Sequence, residues 1–119
     1  MVSGTTGLEA SERARIEAAA DKIAILQAAN FSVGIQVLLE LVAEAASRLD
    51  DYDLEILDLH HARKVDAPSG TALRLARAAA EARGVELDAH AVYHREGETG
   101  QRPAGAIGMQ TLRAGASVG

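Results

Sequence analysis

The sequence predicts a soluble α/β domain. Apolar segments of strand length alternate with segments of helical period, 119 residues suit one ordinary domain, and 48% of them are apolar. A two-domain enzyme usually needs at least about twice that length. The apolar share is normal, but 25 residues are Ala while Phe, Tyr and Trp together number three. Small side chains let helices approach closely, yet each buries little area, so the expected core is thin.

The elements follow in order. Val2 to Gly7 is short and turn-rich. Leu8 to about Ala20 reads as a helix, with Glu9 and Glu12 in its early turns where the dipole favours anions. The apolar run Lys22 to Ala29 reads as a buried strand. Ser32 is placed to cap a long helix from Val33 to about Leu49, along which Ile35, Leu38, Leu39, Val42, Ala45, Ala46 and Leu49 recur at helical spacing. Asp50 to Asp53 is a polar turn before a strand from Leu54 to His60. A loop through Lys64 and Pro68 leads to a helix starting near Ser69 to Thr71 and ending at Gly84, a good residue just past a helix. Ala89 to His94 and Ala106 to Arg113 read as strands, separated by the charged, Gly-rich loop Arg95 to Gly105. That loop is most economically solvated, though its glycines could let it close over a ligand.

Composition excludes several functions. Twelve Lys and Arg against seventeen Asp and Glu give a net charge of −5, so no polycation faces nucleic-acid phosphates, and scarce aromatics offer no base-stacking surface. No run approaches the roughly 18 apolar residues of a membrane span. Met1 to Gly4 lacks the basic and long apolar regions of a signal peptide. The absence of Cys removes disulfides, zinc–thiolate sites and thiol nucleophiles, and suits a reducing cytoplasm. The expectation is a cytoplasmic protein that binds neither nucleic acid nor membrane.

The chemistry is densest between His60 and Thr71. Pro68 and Ser69 mark a helix start, and Gly70 lets a ligand approach the backbone. Free N–H groups of that first turn, with the Ser69 and Thr71 hydroxyls, make a site for a carboxylate or phosphate. His60, His61 and Lys64 just upstream can donate protons near neutral pH. The plain alternative is an N-capped helix after a solvated basic loop. It accounts for Pro-Ser-Gly-Thr alone, but leaves the tandem His and the Lys without a purpose. Adjacent strand residues point to opposite faces, so His60 and His61 do not easily share a metal ion. Asp58, on the His60 face, would still leave a site incomplete, so no metal is expected. His90 and His94 read as half-exposed strand residues. Gly4-Thr5-Thr6-Gly7 lacks the Lys and spacing of a P-loop and is no GxGxxG fingerprint.

His60-His61-x-x-Lys64-x-Asp66-Ala67-Pro68-Ser69-Gly70-Thr71-Ala72 resembles the signature of bacterial dihydrodipicolinate reductases (4-hydroxy-tetrahydrodipicolinate reductases). Gly4-Thr5-Thr6-Gly7 is similar to the turn ending a late strand of that family's Rossmann domain. Ala28 to Gly34 is similar to its interdomain segment, and Ala91 to Gly97 and Ile107 to Gly115 to its substrate-domain strands and loop. The resemblance covers essentially the whole chain, and the histidine–lysine block is its most specific part.

The resemblance implies an α/β (α+β) architecture. Residues 1–31 would be the end and hinge of a dinucleotide-binding domain. Residues 32–119 would be most of a substrate-binding and oligomerisation domain, a mixed sheet with helices on one face. It implies reduction of 4-hydroxy-tetrahydrodipicolinate to tetrahydrodipicolinate by NADPH or NADH, in the diaminopimelate route to lysine. His60 would be the proton donor or acceptor and Lys64 the proton donor during hydride transfer. His61, Ser69, Gly70 and Thr71 would hold the dicarboxylate. Gly4, Thr5, Thr6, Ala28, Ala29, Asn30 and Phe31 would touch the nicotinamide end of the cofactor. It also implies a homotetramer built through the substrate-domain sheet. The family's glycine-rich phosphate loop precedes GTTG and its chain returns to the cofactor domain after the residues matched here. These 119 residues alone are therefore expected to bind NAD(P)H poorly and turn over negligibly. Asp58 stands where family members commonly carry Glu. Two other readings compete: a non-catalytic oligomerisation or anion-binding module, and an unrelated small-anion hydrolase using His60 and Asp58.

Overall fold

The computed structural model describes residues 1–119. Its elements are β1 (Val2–Ser3), α1 (Ala10–Ala20), β2 (Leu26–Gln27), α2 (Val33–Arg48), β3 (Leu54–His60), α3 (Gly70–Ala82), α4 (Leu87–His90), β4 (Ala91–Val92) and β5 (Ile107–Arg113). β1 and β2 form a two-stranded sheet, and β3, β5 and β4 form a three-stranded one with β5 in the middle. The α/β class is as expected. Every pairing is parallel, however, where a mixed sheet was expected. Each parallel neighbour is reached by a helical crossover or a long loop, which leaves no hairpin in either sheet.

Two expected strands are shorter than their apolar runs. Around β2, Lys22 and Ile23 both donate to the Ala19 carbonyl, so the last turn of α1 consumes the start of the run. The segment Ala89 to His94 holds only the two-residue β4. Residues 87–90 coil into α4, which puts Leu87 into the core at 7% exposure. The ends of the longer helices follow local chemistry. Glu12 accepts from the Glu9 N–H at 2.8 Å, and Ser69 accepts from the Ala72 N–H at 3.2 Å. Ser32 reaches Ile35 N–H only at 3.5 Å. α3 ends in a Schellman motif: Val85 N–H donates to Ala80 and Gly84 N–H to Glu81, with Gly84 at φ +66°.

α3 lies against the three-stranded sheet, and α2 packs on α3. The core joins Ala72, Ala76, Ala80, Leu87, Ile107 and Met109, and only Ile107 and Met109 are large and fully buried. Twelve of 119 residues are buried, so the core is as thin as the composition implied. The sheet face turned from α3 leaves Leu57, Leu59 and Leu112 exposed. Val92 is on the same face, since it pairs with Gly108.

Close helix-to-sheet packing depends on alanine. Ala76 is 0% exposed, so Ala76→Val should cost about 1–3 kcal/mol by overpacking. Urea unfolding would show this as a lowered midpoint at unchanged slope.

The loop Arg95 to Gly105 is tied to β3. Arg95 donates twice to Glu55, at 2.8 and 3.1 Å, and Arg102 Nε donates to it at 3.2 Å. Arg102 also donates to the Leu54 and Ala106 carbonyls, each at 2.7 Å. The Arg95 hydrogen bond is the largest influence on the Glu55 carboxyl and outweighs burial; with the Arg102 hydrogen bond added, the pKa is held below its ordinary value. Gly108 makes this possible, because any Cβ there would collide with the Glu55 carboxylate.

Candidate active site

β3 ends at His60, and its inward positions alternate Leu54, Ile56, Asp58 and His60. A carboxylate at an inward strand position needs partners, and Asp58, at 5% exposure, has three. Its Oδ2 accepts from the Ser69 N–H at 2.8 Å and from Arg113 Nη2 at 3.2 Å. Its Oδ1 lies 2.7 Å from His60 Nδ1. That last contact is close, but the ring N–H direction misses the line of a hydrogen bond. Burial works to raise the Asp58 pKa. The Ser69 N–H, the Arg113 guanidinium and the Ser69 hydroxyl outweigh it and hold the carboxyl below its usual value.

Arg113 stands opposite His60 in the parallel register of β3 and β5. Besides Asp58 it donates to the Asp66 and Leu112 carbonyls, each at 2.7 Å. It therefore ties two strands to the loop before α3, whose Ala67–Pro68 peptide is cis. Within that loop Lys64 Nζ reaches Asp66 Oδ1 at 2.6 Å, and this bond first of all lowers the Asp66 pKa against a smaller burial effect. His61 Nδ1 is buried without a partner.

At the start of α3, Ser69 is buried, with its N–H on Asp58 and its oxygen capping Ala72. The Gly70 and Thr71 N–H groups have no carbonyl a turn behind them. They stand at the positive end of a 13-residue helix. Thr71 Oγ1 accepts from Asn30 Nδ2 at 3.2 Å, which joins the segment before α2 to this turn. A cavity of about 320 Å³ opens here, lined by Asn30, Asp58, His60, Ser69, Thr71 and Gly119 among others. On the other side of Gly70, a cleft of about 450 Å³ is lined by Thr5, Thr6, Ala29 and Gly70 with Arg13 and Arg74 among others.

Gly70 lines this cleft, and its chain neighbours Ser69 and Thr71 line the cavity. A Cβ there would stand 3.5 Å from Thr6 Cγ2 and 3.7 Å from Ala29 Cβ. Gly4 packs similarly near Phe31 and the Ala28 carbonyl, 3.8 and 3.9 Å from an added Cβ. The structure thus gathers His60, Ser69, Thr71 and Asn30 at one cavity and Thr5, Thr6, Ala29 and Gly70 beside it. Lys64 and His61 line neither. The main-chain groups of Gly4, Thr6 and Gly7 make no backbone hydrogen bonds, and this exposed turn of small residues suits a carboxamide that needs donors and acceptors together. No group of three or more His, Asp or Glu side chains is arranged to hold a metal ion. Asp58 was legible as a neighbour of His60. Its wider role, and that of Arg113, were not; the signal was an acidic residue in phase with Leu54 and Ile56 on the inward face of the strand.

Comparison with known proteins gives the same direction. The family model for the dihydrodipicolinate reductase C-terminus matches residues 34–119, and that for the N-terminus matches residues 1–31. The chain belongs to the dihydrodipicolinate reductase family. Among curated relatives, the 4-hydroxy-tetrahydrodipicolinate reductase of Rhizobium rhizogenes strain K84 is 51% identical over 120 residues. That match takes in 99% of this chain and 44% of the relative. The enzyme of the same name from Bradyrhizobium sp. strain ORS 278 is 50% identical over 119 residues, with the same two shares. The chain thus spans less than half the length of the curated relatives it matches. A solved structure of dipicolinate-bound dihydrodipicolinate reductase from Paenisporosarcina sp. TG-14 superposes with a TM-score of 0.55 at 28% identity. It covers 95% of this chain and 43% of that one. The matched families and relatives are all named as reductases. No helix in it is long and apolar enough to cross a membrane.

Proposed function

We propose that this segment is the substrate half, with the adjoining edge of the cofactor half, of a reductase converting 4-hydroxy-tetrahydrodipicolinate to tetrahydrodipicolinate with NADPH or NADH. The observation that carries the reading is the anion-ready turn at Gly70 and Thr71, held beside His60 by one buried carboxylate. We divide the chain between residues 31 and 32; the N-terminal family match ending at residue 31 and the C-terminal one beginning at residue 34 support this.

The roles follow from chemistry. The Gly70 and Thr71 N–H groups hold a substrate carboxylate, with the Ser69 hydroxyl and His61 assisting. His60 lends or takes a proton at the cavity, and Lys64 leaves its exposed partner Asp66 to donate one. The bound nicotinamide would supply the hydride, and the 4-hydroxyl would leave as water with a donated proton. Gly4, Thr5, Thr6 and Ala28 through Phe31 position its ring through main-chain groups. The chain contains no glycine-rich phosphate loop, so these residues alone bind the cofactor weakly and turn over negligibly. The bare leucines on the outer sheet face favour self-association through that sheet, which we read as a homotetramer; we place the whole enzyme in the cytoplasm with the other reductases of its route.

Titration with dipicolinate, the ligand bound in the solved relative, tests the site. The Gly70 and Thr71 amide resonances should move in a saturable way, while those of α1 stay fixed. Unmoved amides up to millimolar dipicolinate would sink the reading, as would measurable reductase turnover sink the claim that the chain alone is inactive.

A further inference from the structure

Asp58 lines the cavity between two parts of the proposed site, His60 and the turn at Ser69. Its Oδ2 receives two donors, the Ser69 N–H at 2.8 Å and Arg113 Nη2 at 3.2 Å. Its Oδ1 is left facing His60 Nδ1 at 2.7 Å. A carboxylate oxygen and a bare ring nitrogen at that distance repel each other, so the proton belongs on Nδ1. The opposite nitrogen, Nε2, then carries the lone pair in the neutral ring and the exchangeable proton in the charged one. Nε2 faces away from Asp58, against Gly119, where the cavity is lined.

The other groups around the ring do not compete for this role. From β5, Arg113 spends its guanidinium on Asp58 and on main-chain carbonyls. α3 presents Ser69 and Thr71, which are uncharged, and the loop carboxylate Asp66 is held by Lys64. Val118 and Gly119 bring no charged side chain.

We propose that Asp58 is a positioning residue for the reduction: one carboxylate fixes the tautomer of His60 and ties that ring to the turn that holds the substrate. It rests on the reductase reading for the use made of His60, but the tautomer stands independently of it. The substitution Asp58→Asn makes a sharp test. Ser69 N–H and Arg113 are both donors and claim the amide oxygen, which turns the amide NH₂ toward His60 Nδ1. An NH₂ there needs a lone pair on Nδ1, so the proton moves to Nε2 and the ring presents the wrong nitrogen.

Ring ¹⁵N resonances of His60, recorded in the chain at a pH where the ring is neutral, read this directly. The expected result is Nδ1–H in the unmodified chain and in Asp58→Glu, and Nε2–H in Asp58→Asn. In the assembled reductase, Asp58→Asn should lose about 10–100-fold in kcat with a smaller change in KM, and Asp58→Glu should recover most of it. An Nε2–H ring in the unmodified chain overturns the proposal without any variant, so a variant that fails to fold does not shield it. Loss of kcat in Asp58→Asn with an unchanged tautomer overturns it as well, because that is the mark of a structural role. If the assembled reductase without any substitution reduces nothing, the reductase reading fails while the ring resonances still decide what Asp58 does to His60.

Discussion

Lys64→Ala and His60→Gln, made separately in the assembled reductase, are each expected to lower kcat by about 10²–10⁴-fold, the usual worth of a positioned proton donor. That is about 2.7–5.4 kcal/mol of transition-state stabilisation. The structure separates this effect from instability. The Lys64 side chain bonds only to Asp66, whose side chain is 44% exposed, and a pair of that kind is worth about 1 kcal/mol at most. His60→Gln leaves Asp58 its bonds to Ser69 and Arg113, so the carboxylate is not stranded. Turnover should therefore collapse while the unfolding midpoint barely moves. Steady-state rates in an assay coupled to the synthase, with thermal unfolding of each variant alongside, check both halves. Unchanged turnover in both variants would remove the catalytic assignment. If the two donors act on one transition state, the double variant should fall well short of the product of the single losses.

The long elements were legible for a simple reason. α2 and α3 carry their apolar residues at helical spacing, and β3 is flanked by a polar turn and a loop, so local pattern and tertiary packing agree. The short apolar runs were not legible. Lys22 to Ala29 has no internal signal that a helix will overrun its start, and Leu87 draws its neighbours into α4 because the core needs that side chain. Sheet direction was equally hidden, since parallel pairing of β4 with β5 is decided across the fold.

The site divides in the same way. The turn from Ser69 to Thr71 is local chemistry, and the sequence announces it through a cap, a glycine and a hydroxyl. The meeting of Asp58 with Arg113 joins residues 55 positions apart and depends on the parallel register of β3 on β5. No spacing rule reaches that far. The contact of Gly70 with Thr6 and Ala29 is of the same kind, and it places the expected cofactor and substrate residues side by side.

Arg113→Met is expected to destabilise the chain by about 3 kcal/mol at neutral pH, because it leaves a buried carboxylate with one of its charge partners removed. The side chains concerned are 18% and 3% exposed, so water replaces little of what is lost. The Asp66 carbonyl loses a 2.7 Å donor as well. In a domain whose only large, fully buried side chains are Ile107 and Met109, such a loss is a serious fraction of the whole. The same change should alter the acid limb in a defined direction. Asp58 is held below its ordinary pKa in the fold, so the unfolded chain takes up its proton first. Its contribution is complete above the unfolded value of about 4 and drains away as pH falls from there through the folded value. Without Arg113 the burial effect faces weaker opposition and the folded value rises, so less of the remaining stability is lost to acid. The gap between Arg113→Met and the unmodified chain should therefore narrow as pH is lowered below about 4. Urea unfolding at neutral and at acid pH measures it, and a gap that stays constant would show that Arg113 acts by packing alone.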